Sequence, residues 1–384
     1  MNTLGMYSYR LSYQHLIEYE IIHAPNLLAP ENPALLSAGR GRGSRRFVVV
    51  DENVYHYYGS AIHAYFAFHD IEARIVPLAA GEEHKTLESY VFLARELDAF
   101  PIHRRDEPII AIGGGVLTDL VGFLASTYRR GLPHIKVPTT LMGYVDASIG
   151  IKTGFNFNGN KNRLGSFYAP QKVLLDKTFF HTLSTRHLLN GVCEIIKLAV
   201  IKDAELFGML ERWGARSVAN RFQDVESDQI LDRAIRGMIE ELEPNLFEEE
   251  LARKVDFGHT FSYGLEARYE GRLYHGEAVL LDILLSVLIA RSRRLLSEEE
   301  TERVFRLTES LGIQLDAEVL DAEMLWESLR ERTYHRNGLQ RVPMPAGIGQ
   351  CVFLNDITRC EVERATQELE TRLWKMNHVL VYQR

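Results

Sequence analysis

Four short β-branched runs, RFVVV (46–50), ARIVP (73–77), PIIAI (108–112) and HIKVP (134–138), recur through the first half of the chain, separated by segments of helical spacing such as 85–100 and 118–126. Strands that alternate with helices are joined by crossovers, so they lie parallel, with right-handed connections and helices on both faces. The N-terminal half is therefore predicted to be an α/β layer structure with a parallel-type sheet. After about residue 180 the pattern changes, and 186–200, 204–213, 228–241, 257–269, 276–295 and 297–311 all show helical spacing. The expected organisation is an α/β domain over 1–180 and a mostly α-helical domain over 181–384, packed closely around a ligand cleft.

Composition narrows the class of partner. With 44 Lys plus Arg against 52 Asp plus Glu, the formal charge of −8 gives no general attraction to nucleic acid or to an anionic membrane. The three cysteines, Cys193, Cys351 and Cys360, form no CxxC pair and leave one over in any disulfide scheme, which fits a reducing compartment. The first twenty residues lack a basic start followed by an apolar core, so a cytoplasmic location is expected. The most apolar stretch, 278–290, is too short for a bilayer span of roughly 20 residues and carries Asp282, which predicts a buried core helix.

Three groups of residues could carry chemistry. The strand 108–112 runs into Gly113-Gly114-Gly115-Val116-Leu117-Thr118-Asp119, where a glycine loop and a helix N-terminus could hold a pyrophosphate; a plain tight turn is the alternative. Asp51, ending an earlier strand, could bind a ribose hydroxyl or cap a helix. Glu194, His259 and His275 form a normal three-ligand set for catalytic zinc, and Glu194 and Lys197 share a helix face at i, i+3. Against that, each histidine lies beside a glycine near an apparent helix start, where a buried or capping role is the plain explanation. The third group is cationic: Arg129, Arg130, Lys152, Lys161, Arg163, Lys197, Arg253, Lys254, Arg336 and Arg341 suit a phosphate or a polyol, or else face solvent.

Read together, these segments resemble the sugar phosphate cyclase superfamily, whose best-known member is 3-dehydroquinate synthase. VVVDEN, GEEHKT, GGGVLTDLVGFLAST, RRG, VPTTLMGYVDASIGIKTG, KNRLGSF, NGVCEIIK, DFGHTFS and HGEAV occur in family order from about Asp51 to Gly349. The resemblance implies a dehydroquinate synthase-like fold and a non-covalently held NAD that is reduced and reoxidised within one turnover. On that basis Asp51, Asn53, Glu82 and Lys85 surround the adenosine, Gly114, Gly115 and Val116 the pyrophosphate, and Asp119, Thr139, Thr140, Met142, Lys161 and Thr182 the rest of the cofactor. Met142 replaces the usual Leu, a volume-conserving swap. The same resemblance gives zinc (or cobalt) to Glu194, His259 and His275, and sets Asp146, Lys152, Asn162, Lys197 and Asp256 against the substrate. It sends Arg130 to a neighbouring subunit's phosphate site, which implies a homodimer.

Departures from the 3-dehydroquinate synthase pattern direct the choice of substrate. Asp256 stands where that enzyme has Asn, Tyr263 where it has a second His, and Ala252, next to Arg253, where it has Arg. A carboxylate at 256 repels a substrate carboxylate but accepts sugar hydroxyls. Together with ELEPNLFE, TRHLLNG, IKDAELF and HRNGLQRVPMP, these departures are similar to the branch that cyclises sedoheptulose 7-phosphate, the 2-epi-5-epi-valiolone synthases foremost. Those enzymes have Pro where Tyr263 stands, so 2-epi-valiolone synthases are the next reading. Desmethyl-4-deoxygadusol and 3-dehydroquinate synthases follow, and an NAD- and metal-dependent polyol dehydrogenase is the alternative from another class.

Overall fold

The computed structural model describes residues 8–36, 44–79 and 81–381. Strands β1 (Glu20–His23), β2 (Arg45–Asp51), β3 (Glu72–Leu78), β4 (Ile109–Gly113), β5 (His134–Pro138) and, after a hairpin of β6 (Lys152–Phe157) and β7 (Asn160–Phe167), β8 (Lys172–Leu175) supply the main sheet. Its order is β1-β8-β5-β4-β2-β3, and every pairing is parallel. β4 and β5 are buried along their whole length because helices cover both faces, which is why the strands read as continuous apolar runs rather than alternating ones. Val48, Val50, Ile110 and Ile112 face α1 (Glu52–Phe68), whereas Phe47, Val49, Ile109 and Ala111 face α2 (Leu87–Ala99) and α3 (Gly115–Thr127).

The four predicted strands and the predicted parallel arrangement are observed. β1 and β8 were not anticipated. The segment 151–165, expected to be turn-like, forms most of the β6–β7 hairpin. Within β5, Lys136 is fully buried and donates to the carbonyl of Gly150 at 3.0 Å, which fixes the chain two residues ahead of Lys152; burial pushes its pKa down to about 8.

Helices follow: α4 (Thr185–Ile201), α5 (Ala204–Ala219), α6 (Val225–Leu242), α7 (Ser262–Arg268), α8 (His275–Ser292), α9 (Glu298–Ser310), α10 (Ala322–His335) and α11 (Arg359–Val381), with a small antiparallel pair, β9 (Val342–Pro345) and β10 (Cys351–Leu354), before the last. α8 is apolar around its circumference and buried from Ala278 to Ala290, as a central helix must be, and α4 packs along it. No helix among the described residues is long and apolar enough to cross a membrane.

One helix is shorter than its periodicity predicts: 257–269 is helical only from Ser262. Gly258 adopts φ +75°, and a Cβ there would lie 2.8 Å from Val279 Cγ1, so the chain turns against α8 before α7 begins.

The start of α11 is pinned electrostatically. Glu361 accepts from Arg293 Nε at 2.6 Å and from the Thr358 N–H at 2.8 Å, and Arg293 first, then Thr358, hold its pKa at about 2. A carboxyl depressed from about 4.3 in the unfolded chain contributes stability above that pH and loses it as pH falls toward 2. Glu361→Gln is therefore expected to cost about 1 kcal/mol at pH 7, after allowance for solvent screening. In urea titrations the gap from the parent should close between pH 5 and pH 2; a gap independent of pH would contradict the assignment.

Candidate active site

The first helix turn of α3 points at the glycine loop. Gly114 is the N-cap, no side chain caps the helix, and Gly114, Gly115 and Val116 are only partly buried, so the first turn keeps backbone N–H groups without a side-chain cap. Thr139 donates its N–H to Gly113 O at 3.0 Å, and Thr140 Oγ1 accepts the Gly143 N–H at 3.1 Å; both residues thus line the loop from the end of β5. Asp51 is a helix cap, accepting from the Asn53 and Val54 N–H groups, and lies against Gly113 at the neighbouring strand end. Thr182 shares a hydrogen bond with Tyr58 of α1 at 3.1 Å, and the backbone nitrogen of Met142 lies against Gly191 of α4.

Lys85 is buried and joins two of the predicted groups, donating to Asp119 Oδ2 at 2.7 Å and to Asn162 Oδ1 at 2.6 Å. Asn156, which the sequence did not single out, ties this cluster together. It donates to Glu82 Oε1 at 2.8 Å and accepts the Asn162 N–H at 2.8 Å.

A second cluster lies where α4, α7 and α8 meet. Glu194 and Lys197 are buried on α4, His259 lies in the turn before α7, and His275 opens α8. One ligand atom each from Glu194, His259 and His275 fall within 4.8 Å of one another. Glu194 Oε1 is 3.4 Å from His275 Nε2 and 3.9 Å from His259 Nε2, and it has no hydrogen bond. The other ring nitrogens each have an oxygen beside them: His259 Nδ1 lies 3.1 Å from Phe257 O and His275 Nδ1 makes an ion-pair approach of 3.0 Å to Glu266 Oε1. Both Nε2 atoms are thereby left to converge on an orphaned carboxylate oxygen, an arrangement that fits a divalent metal of zinc type. Burial first, then Lys197, pushes the His259 pKa down to about 4; burial also works to lower that of His275, but Glu266 and Glu194 raise it well above its ordinary value.

Lys197 Nζ lies 2.5 Å from Glu194 Oε2 and 2.7 Å from Asp146 Oδ2. Burial alone would raise the Glu194 pKa, but Lys197 and the two histidines hold it well below the usual range; burial also raises Asp146, with Glu194 adding to the effect against Lys197. Beneath, Asp282 of α8 accepts the N–H groups of Thr260, Phe261 and Ser262 at 2.8, 2.5 and 3.0 Å, which anchors the turn carrying His259. In the sequence Asp282 served only as a mark against a membrane span.

Helix approach here is close. Gly276 donates its N–H to Asn190 Oδ1 at 2.7 Å, and a Cβ on it would sit 2.4 Å from Asn190 O. Gly276→Ala is expected to cost about 1–3 kcal/mol by forcing α4 and α8 apart, and to weaken metal binding because Glu194 and His275 ride on those helices. Thermal unfolding and metal titration check both effects.

The third cluster is cationic. Asp256 is buried with Arg253 on Oδ1 and Arg336 on Oδ2 at 3.2 Å, while Arg332 lies 3.8 Å away. Its oxygens are therefore engaged by arginines, not open to sugar hydroxyls as the sequence suggested. Burial would raise the Asp256 pKa, yet Arg253, Arg336, Arg332 and Lys152 hold it below its ordinary value. Exposed Lys152 pairs with Glu248 at 3.2 Å, so four cations face two carboxylates. Tyr263 stands between this cluster and the one of Glu194, His259 and His275, with the Arg332 guanidinium 4.5 Å above its ring and the His259 ring 6.3 Å away. Arg332 was not among the expected cations; Lys254 and Arg341 were, but pair with Glu241 and Glu250.

Arg130 is the predicted residue that the single chain does not bring to the site. It is exposed beyond the C-terminal end of α3, about 20 Å along that helix from Gly115.

The sequence matches the 3-dehydroquinate synthase N-terminal family over residues 75–190 and the 3-dehydroquinate synthase C-terminal family over residues 191–333. The chain belongs to the 3-dehydroquinate synthase family. Among members of this family, it is 46% identical over 365 residues to a 2-epi-5-epi-valiolone synthase from Actinomyces sp, covering 93% of this chain and 96% of the relative. It is 37% identical over 368 residues to a demethyl-4-deoxygadusol synthase from Trichormus variabilis, covering 93% and 89%. The solved structure of ValA, the 2-epi-5-epi-valiolone synthase of Streptomyces hygroscopicus subsp. jinggangensis 5008 with NAD+ and Zn2+ bound, superposes with a TM-score of 0.91 at 43% identity, covering 95% of this chain and all of that one.

Proposed function

We propose that the chain is a 2-epi-5-epi-valiolone synthase, which cyclises sedoheptulose 7-phosphate with release of phosphate. The observation that carries this reading is the convergence of Glu194, His259 and His275 beside the Lys197–Asp146 pair, in a chain 43–46% identical to enzymes of that name. The same reading divides the chain at about residue 180 into a dinucleotide-binding part and a metal- and substrate-binding part.

When bound, the metal supplies polarisation of two neighbouring substrate oxygens and the dinucleotide a reversible hydride acceptor. Glu194, His259 and His275 would hold the metal; the N-terminus of α3, with Lys85, Asp119 and Lys161, would hold NAD. Lys197 keeps the Glu194 and Asp146 carboxylates side by side, and the raised pKa of Asp146 suits it to taking and returning a hydroxyl proton. Lys152, Arg253, Arg332 and Arg336 present a net positive wall where phosphate departs. Buried walls then orient the opened chain for the intramolecular aldol closure.

The reading includes a homodimer in the cytoplasm. Exposed Arg130, remote from the glycine loop of its own chain, supports a role at the partner's phosphate site, and light scattering tests the dimer.

The deciding experiment incubates the protein with NAD, Zn2+ and sedoheptulose 7-phosphate, follows phosphate, and identifies the product by NMR. Phosphate release without net NADH, with 2-epi-5-epi-valiolone as product, is expected. Net NADH would indicate a polyol dehydrogenase, and turnover confined to the 3-dehydroquinate synthase substrate would overturn the substrate assignment. An epimeric product would transfer the chain to the 2-epi-valiolone reading, in which Tyr263 matters most.

A further inference from the structure

We propose that Glu266 is the positioning residue of the metal cluster, the group that turns His275 into a metal ligand. Glu266 lies on α7, and its side chain is only 4% exposed. A carboxylate so buried needs its charge met, and two groups meet it: Lys161 Nζ, 2.8 Å from Oε2, and His275 Nδ1, 3.0 Å from Oε1. The second contact sets a negative charge behind the imidazole. In the neutral ring that a metal ligand requires, a carboxylate on the Nδ1 side favours the single proton there and leaves Nε2, 3.4 Å from Glu194 Oε1, free to ligate. The Phe257 carbonyl fills the same place for His259, so each histidine of the cluster has an oxygen behind it, but only Glu266 brings a negative charge that raises the basicity of its ligand.

The plain alternative is an ion pair that merely ties α7 to the β6–β7 hairpin through Lys161. The two roles separate when the carboxylate is attacked from its two sides. If Glu266 positions His275, Glu266→Gln should weaken Co2+ binding about 10–100-fold and alter the visible d–d bands of the bound ion, whereas Lys161→Met should leave Co2+ affinity within about 3-fold of the parent. If the pair is only a tie, Lys161→Met should lower thermal stability and metal affinity as much as Glu266→Gln does.

The inference rests on reading Glu194, His259 and His275 as ligands, so titration of the parent protein with Co2+ comes first. A parent that binds no Co2+ sinks both that reading and this one. Parent-like affinity and spectrum in a folded Glu266→Gln variant, or in Glu266→Ala should Gln retain the contact, overturn the role of Glu266 alone.

Discussion

Glu194→Ala is expected to lower the rate of phosphate release from sedoheptulose 7-phosphate by about 10³-fold or more, since losing metal polarisation removes several kcal/mol of transition-state stabilisation. Of the three ligands only Glu194 is anionic, and it alone is fully buried, so no solvent-exposed group can replace it. The variant should retain its fold, because α4 carries a further dozen buried residues, and should bind less than stoichiometric metal by elemental analysis. A variant that keeps both metal and turnover would show that the cluster is a structural ion pair.

Lys197→Met is the second large effect. Its ammonium is the cation between Glu194 and Asp146, and removing one partner of a buried charge group costs about 3–5 kcal/mol. That loss should appear in the metal-free protein and shrink when Zn2+ is added, because a divalent ion restores the missing positive charge. Turnover should not recover with it; a deficit of about 10²–10³-fold in kcat is expected from the loss of one buried donor at the reacting oxygens. Circular dichroism melts with and without Zn2+, beside steady-state assays, separate the two effects. Full recovery of kcat by metal would reduce Lys197 to a structural counter-ion.

What the sequence revealed of this molecule follows the range of the forces involved. β2 to β5 were legible because each is a run of β-branched residues that needs cover on both faces. β1 and β8, four residues each, carry too little pattern to stand out, and the β6–β7 hairpin reads as turn because its exposed face is polar and glycine-bearing. The convergence of Glu194, His259 and His275 was legible by residue type and by family resemblance, although they lie 65 and 16 residues apart along the chain. Glu266, Asp282, Asn156 and Arg332 were not legible: a glutamate one turn into a helix looks like solvent-facing charge until the fold sets Lys161 and His275 against it. Asp256 is not the open acceptor that the sequence suggested, since Arg253 engages one oxygen and Arg336, some 80 residues later, the other.

The edge strand β1 pairs in parallel with β8, and the connection continues past its end, with Ala24 N–H on Leu175 O and Leu27 N–H on Asp176. β1 therefore has no partner on β8 until roughly 150 further residues have been made. At about 5–20 residues per second that wait is on the order of 10–30 s. The apolar Ile21 and Ile22 spend this time uncovered, and Leu27 waits for the carboxylate that fixes its backbone. Synthesis order, more than final stability, thus makes β1 and the turn to Leu27 a segment that needs shielding while the chain grows.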